Sequence, residues 1–277
     1  MTEVAGATMR RLLEGDIPAA MQLSAEAGWN QTAEDWQMLI ERLPEGCLAI
    51  EVDGELASTA TLACYGRRLA WLGMVLTKTC YRGQGFARRL LTEALSLADE
   101  MQIETVKLDA TDQGEPLYKK LGFRREQPVE RWVRPGYNAF PKTHLPVDMH
   151  FSSNWHAGDS AAFGVDRSDV LQRLGRRKQP LSVAHSYLLS RTGRIYQYLG
   201  PCIADTPACA RALVENALQM PSPEGWAWDL LPANAAAVAI AQDCSFTPKR
   251  RLMRMVRGKD LRAQENKIYA IAGFELG

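Results

Sequence analysis

From Phe86 onward, apolar side chains recur at Ala87, Leu90, Leu91, Ala94, Leu95 and Ala98. These fall at i, i+3, i+4, i+7, i+8 and i+11, one face of an amphipathic helix. Shorter patterns precede it. Met9–Leu12 reads as a strand, and Asp16-Ile17-Pro18 opens a helix, with Asp16 as N-cap and proline in the first turn, that runs toward Gly28. A second helix starts at Thr32, with Asp35 in the capping-box position, and stops before Pro44. Two apolar runs, Cys47–Val52 and Leu56–Tyr65, flank Asp53-Gly54, a hairpin signal. Leu69–Thr77 predicts a further strand and Thr105–Ala110 another; a short helix through Leu117, Tyr118 and Leu121 closes at Gly122.

Periodicity then fades between Val133 and His156, where Pro135, Gly136, Pro141 and Pro146 mark a linker. It returns as a helix at Asp166–Leu171, strands at Ser182–Ser190 and Ile195–Leu199, and a helix opened by Thr206-Pro207. A strand at Trp226–Leu230, a helix at Asn234–Gln242 and a last strand pair, Arg251–Val256 with Tyr269–Phe274, complete the second half. Its order repeats the first. Each half has a strand ending in Leu-Gly (Leu72-Gly73; Leu199-Gly200), a long helix, a strand containing Asp (Asp109; Asp229) and a short helix closed by Phe. Gly73 to Phe123 is 50 residues and Gly200 to Phe246 is 46, as a duplicated unit predicts. The expected division is 1–135, a linker over 136–156, and 157–277.

Composition narrows the function. Lys and Arg total 33 against 32 Asp and Glu, a net charge of +1, which offers no field for nucleic acid or a membrane surface. The run Lys249-Arg250-Arg251-x-x-Arg254 reads as a solvated strand edge. No apolar run reaches the ~18 residues of a membrane helix, and the first residues lack the pattern of a signal peptide, so the expected compartment is the cytoplasm. Six scattered cysteines and four histidines without i, i+4 spacing predict no metal site.

The chemistry concentrates at Leu72–Leu91. A strand feeds a turn, Arg82-Gly83-Gln84-Gly85, and the turn feeds the amphipathic helix. Glycine permits positive φ and close approach, while the first helical N–H groups and the macrodipole favour an anion: a pyrophosphate cradle. Arg82, Arg88 and Arg89 can add charge-assisted hydrogen bonds. The third glycine of a dinucleotide fingerprint and the Gly-Lys-Ser/Thr of a P-loop are absent.

Arg82-x-x-Gly85-x-Ala87 after a strand resembles the acyl-CoA signature of the GNAT N-acetyltransferase superfamily, and Leu117-Tyr118-Lys119-Lys120-Leu121-Gly122-Phe123 resembles its next conserved element. This similarity covers residues 8 to 133; the second half resembles the C-terminal domain of tandem GNAT proteins. The resemblance implies an α/β fold of two tandem domains, each a mixed β-sheet flanked by helices, and acetyl-CoA as co-substrate. Val75, Leu76 and Thr77 would line the pantetheine, with the Leu76 N–H polarising the thioester carbonyl. Arg82, Gly83, Gln84, Gly85, Phe86, Ala87 and Arg88 would hold the pyrophosphate. Tyr118 would act as general acid, or would pack beneath the cofactor. Trp29, Asn30 and Trp36 would contact a small amine acceptor, the two tryptophans serving equally well as core. Asp109 and Asp112 stand near the site without marking a general base. Cys80 reads as a turn residue rather than a nucleophile. In the second half the cradle position reads Ala204-Asp205-Thr206-Pro207, with an acid and no glycine, as expected of a domain degenerate for coenzyme A. The alternatives are a non-catalytic acyl-CoA sensor and a protein lysine acyltransferase; oligomeric state stays open.

Overall fold

The computed structural model describes residues 6–136, 147–151, 155–261 and 263–277, so most of the expected linker lies outside the described residues. In the first half, β1 (Ala7–Arg11) leads through α1 (Ile17–Glu26) and α2 (Ala33–Arg42) to the hairpin β2 (Cys47–Val52) and β3 (Glu55–Tyr65). Then follow β4 (Leu69–Thr77), α3 (Phe86–Glu100), β5 (Thr105–Ala110), α4 (Glu115–Lys120) and β6 (Arg124–Arg134). The second half has α5 (Trp155–Phe163), α6 (Ser168–Arg177), β7 (Leu181–Val183), β8 (Ser186–Arg191) and β9 (Gln197–Ile203). It ends with α7 (Pro207–Ala217), β10 (Trp226–Leu230), α8 (Ala235–Asp243), β11 (Thr247–Gly258) and β12 (Ile268–Ala270).

One mixed sheet runs through both halves in the order β1-β2-β3-β4-β5-β11-β6-β10-β9-β8-β7, with β12 added beside β9. The two halves trade strands at the centre. β11 pairs antiparallel with β5 (Met253 opposite Ala110) and with β6, while β6 pairs antiparallel with β10 (Trp228 opposite Trp132). Helix α3 lays Leu90, Leu91 and Ala94 against Ile50 and Leu62 of the first hairpin. A second core joins the halves: Trp36 and Leu39 of α2 share it with Phe163, Leu171, Tyr187 and Leu276. Burying side chains of this size contributes about 1.5–3 kcal/mol each. Trp226 and Trp228 pack under α7 and α8, as their shared strand face predicts.

Several local expectations change. Asp16 caps no helix through its side chain; it accepts from the Leu13 N–H at 2.8 Å and from Arg10 at 2.7 Å. The run 182–190 is two strands, broken at Ala184, whose φ is +51°. The last two strands are not partners: β11 sits between β5 and β6, and β12 lies on β9. The run from Lys249 to Arg254 is therefore no edge, and Arg254 is 3% exposed. Sequence pattern also passed over β6 and α5. β6 is rich in Arg, Glu and Gln, and its central place becomes tolerable only through distant partners such as Asp229, which Arg131 grips with two bonds of 2.6 Å.

Candidate active site

The parallel strands β4 and β5 are bridged at Ala70–Val106 and Trp71–Lys107. Beyond that point β4 bulges: its register against β3 slips between Gly73 and Leu76, and Met74 takes φ +50°. The Thr59 hydroxyl holds the Met74 carbonyl at 2.8 Å. Bulges re-aim strands next to functional sites. Here the two strands part around a cavity that is partly open to solvent. Leu72–Val75, Asp109, Thr111 and Tyr118 form one side of it; Trp29, Gln31, Arg131, Arg250, Leu252, Phe274 and Glu275 form the rest.

At the end of β4 the chain makes a tight turn (Tyr81 N–H to Lys78 O, 2.9 Å) and enters the glycine loop. Gly83 and Gly85 sit at φ +78° and +82°, and a side chain at Gly83 would project into open space. Gly85 is the N-cap of α3; no side chain caps that helix and its first turn holds no acid. Among the described residues Arg82, Arg88 and Arg89 make no ion pair, although Arg82 Nε reaches the Thr77 carbonyl at 3.3 Å. Open space, free amide donors and unneutralised guanidiniums fit a pyrophosphate. Gln84 bonds the Cys80 carbonyl at 3.4 Å, and Phe86 is buried against Tyr81, so these two brace the loop.

Tyr118 lines the cavity on a ring that Gly114 admits, since a Cβ there would meet Cε2 at 3.0 Å. Its hydroxyl bonds to no described residue, and burial pushes its pKa well above the ordinary tyrosine value. Val75 also reaches the wall. Leu76 and Thr77 follow it along β4: Ser58 Oγ donates to the Leu76 carbonyl at 2.7 Å and lies 2.8 Å from Thr77 Oγ1. Trp29 lines the cavity, but Trp36 and Asn30 lie elsewhere. Trp36 is fully buried with its indole N–H on Ser24. Asn30 clasps the second half, donating to Tyr196 O at 3.0 Å and accepting from the N–H groups of Ile195 and Tyr196. Asp109 is gripped by Arg254 at 2.9 and 3.1 Å, and Asp112 is exposed in the following turn.

Sequence reasoning missed the far wall. Glu275 accepts from Arg191 Nη2 at 3.0 Å and Gln31 Nε2 at 2.9 Å; burial pushes its carboxyl above the usual range against the pull of Arg191. Gly73 lets the tail approach closely: a Cβ there would meet the Glu275 Cα at 3.0 Å, so the tail backbone would have to give by a few tenths of an ångström. Gly200, its counterpart in the repeat, faces the same tail, its Cβ position 2.3 Å from the Ile271 carbonyl. The recurring Leu-Gly was the available signal, read as symmetry and not as close approach.

The second half lacks the first half's opening. β9 and β10 are bridged from Gln197 to Leu199, and beyond them β12 pairs with β9 while Ile271 N–H bonds Asp229 O at 2.9 Å. The tail thus fills the position that in the first half is the cavity. The start of α7 is also taken: Thr206 Oγ1 accepts the Cys209 N–H at 3.2 Å, and Asp205 pairs with Lys267. Among the described residues no group of three His, Cys, Asp or Glu side chains is placed to hold a metal, and no helix is long and apolar enough to cross a membrane.

A parted strand pair feeding an uncapped, glycine-led helix marks a protein built to hold a phosphate-bearing ligand against a strand edge. Comparisons with known proteins agree. A model described as the acetyltransferase (GNAT) family matches residues 14–123, and one described as an acetyltransferase (GNAT) domain matches residues 156–270. The chain belongs to the GNAT acetyltransferase family and carries two GNAT domains in tandem. It is 29% identical over 171 residues to the uncharacterized N-acetyltransferase YitH of Bacillus subtilis strain 168; the match covers 59% of this chain and 58% of that protein. A Pyrococcus horikoshii protein whose crystal structure carries an acetyltransferase assignment superposes with a TM-score of 0.88 at 23% identity, over 100% of this chain and 98% of that one. A GCN5-related N-acetyltransferase from Sphaerobacter thermophilus gives 0.69 at 15% identity, over 95% and 100%. At those identities the two structures show the fold.

Proposed function

We propose that the chain transfers an acetyl group directly from acetyl-CoA to a primary amine of a small-molecule acceptor. The observation that carries this reading is the juxtaposition at the end of β4: an uncapped helix with left-handed glycines beside a cavity holding an unbonded, protonated Tyr118. Acetyl-CoA supplies the activated acyl group. Arg82, Gly83, Gln84, Gly85, Phe86, Ala87 and Arg88 would hold its pyrophosphate, and the edge formed by Val75, Leu76 and Thr77 would line its arm, with the Leu76 N–H facing the carbonyl oxygen. The acceptor nitrogen attacks the carbonyl carbon as the C–S bond breaks. Tyr118 donates its proton to the departing sulfur, and the ammonium proton leaves through water or a cavity carboxylate. Cys80 takes no part.

The reading divides the chain into an acyl-CoA unit at 1–135, a connection at 136–156 and a second unit at 157–277 that lends β11 and the tail. A tail segment closing one side of the cavity favours a small acceptor over a protein lysine. Incubating the chain with acetyl-CoA and a broad amine panel, with release of the free thiol as readout, tests it. Acetyl-CoA binding without thiol release across the panel would leave a sensor instead.

A further inference from the structure

Strand β11 carries a bulge of its own. Pro248 pairs with Trp132 and Arg250 with Arg131, so β11 spends two residues where β6 spends one. The extra residue turns Arg250 onto the cavity wall. Arg250 and Arg131 are then direct cross-strand neighbours, and like charges placed this way repel. Arg131 is neutralised: Asp229 grips it with two bonds of 2.6 Å, the Tyr198 hydroxyl accepts from it at 2.9 Å, and the Phe274 ring lies under it at 4.7 Å. Arg250 makes no hydrogen bond or ion pair with any described residue. Burial and the facing Arg131 both weigh against its charge, yet a guanidinium stays protonated.

The cavity's two carboxylates do not answer it. Asp109 is committed to Arg254, and Glu275 to Arg191 and Gln31. Arg250 is therefore a partly desolvated guanidinium without a hydrogen-bonded counter-charge among the described residues, in a cavity where apolar Trp29, Leu252 and Phe274 stand beside polar Gln31, Thr111 and Tyr118 and the paired charges of Arg131, Asp109 and Glu275. Asp229 attracts it from a distance but is hydrogen-bonded to Arg131, so a ligand anion would supply the direct partner that Arg250 lacks, and a planar fork suits a carboxylate.

We infer that the acceptor is a small amine that also bears a carboxylate, held at its acid end by Arg250 so that its amine faces the β4 strand beside Tyr118. This rests on the acetyl-transfer reading and names its substrate class. Arg250 acts by binding, away from the bond that forms.

The test uses the full chain, acetyl-CoA, and the common L-α-amino acids beside their primary carboxamides and decarboxylated amines. Acetyl-CoA binding is measured separately by calorimetry. One or more acids are expected to release thiol at a kcat/KM at least tenfold above the matching amide and amine. In Arg250→Met the KM for the preferred acid should rise tenfold or more and the acid's advantage over the matching amide should shrink, with acetyl-CoA affinity unchanged; Arg250→Lys should restore part of the discrimination. Because Arg250 makes no hydrogen bond or ion pair with a described residue, Arg250→Met should melt no lower than the parent. Amides or amines turned over as well as acids, or no acid turned over at all, would overturn the inference. If acetyl-CoA itself fails to bind, the transfer reading falls first.

Discussion

Tyr118 and Arg254 show how burial gives single residues opposite duties. Tyr118 is kept protonated by its surroundings, and no described residue accepts its proton. Tyr118→Phe should lower kcat about 100-fold, near the low end of general-acid effects, while acetyl-CoA affinity holds. The pH profile sharpens this. A raised phenol pKa keeps the donor protonated above the ordinary tyrosine value near 10, so kcat should not fall between about pH 8 and 10 through loss of this proton. A fall centred near pH 9 that disappears in Tyr118→Phe would contradict the raised pKa, and an undiminished kcat in Tyr118→Phe would contradict the role. Arg254, which the basic run alone places on a solvated edge, is buried over the Trp71 ring at 4.5 Å and grips Asp109. Arg254→Met leaves a buried carboxylate unpaired and should cost about 3–5 kcal/mol in urea unfolding.

At the scale of elements, what was legible in the sequence was local. The face of α3, the hairpin at Asp53-Gly54 and the strand Trp226–Leu230 each announce themselves within a dozen residues, and so does the glycine loop that leads α3. The two helix starts even differ visibly: Gly85 leads α3 without a capping side chain, whereas Thr206 caps α7. Thr206→Ala should therefore cost about 1 kcal/mol of stability, read as a lowered melting temperature, and leave acetyl-CoA binding unchanged. A loss of acetyl-CoA binding in that variant would place a ligand at α7 after all. β6 and the acceptor wall were illegible for the opposite reason. Their charges make sense only against partners 98 and 244 residues away, Arg131 with Asp229 and Glu275 with Gln31. Trp36 and Trp29 look alike in sequence; only packing sends one into the core and the other to the cavity.

At the scale of the molecule, the halves are interlocked by β6 and β11, each of which sits between strands of the other half. The same tail fills the second cleft with β12 and then walls the first with Phe274 and Glu275. A pair of repeats has thereby become one sheet in which the first cleft is open and the second is filled. Residues 1–135 expressed alone would leave β5 and β6 each without the strand between them, exposing a long unpaired edge prone to aggregation. We expect that fragment to aggregate or bind a hydrophobic dye, and the whole chain to unfold in one cooperative transition by calorimetry. Two well-separated transitions would mean that the strand exchange contributes little.

One measurement bears most directly on the account: calorimetric titration of the full chain with acetyl-CoA, beside Gly85→Glu. The substitution forces a non-glycine residue to φ +82° and sets a negative charge in the cradle. The expected result is one site per chain, lost in the variant. Two sites per chain would mean the second cleft is open to the ligand, and unchanged binding in Gly85→Glu would remove the cradle from the account.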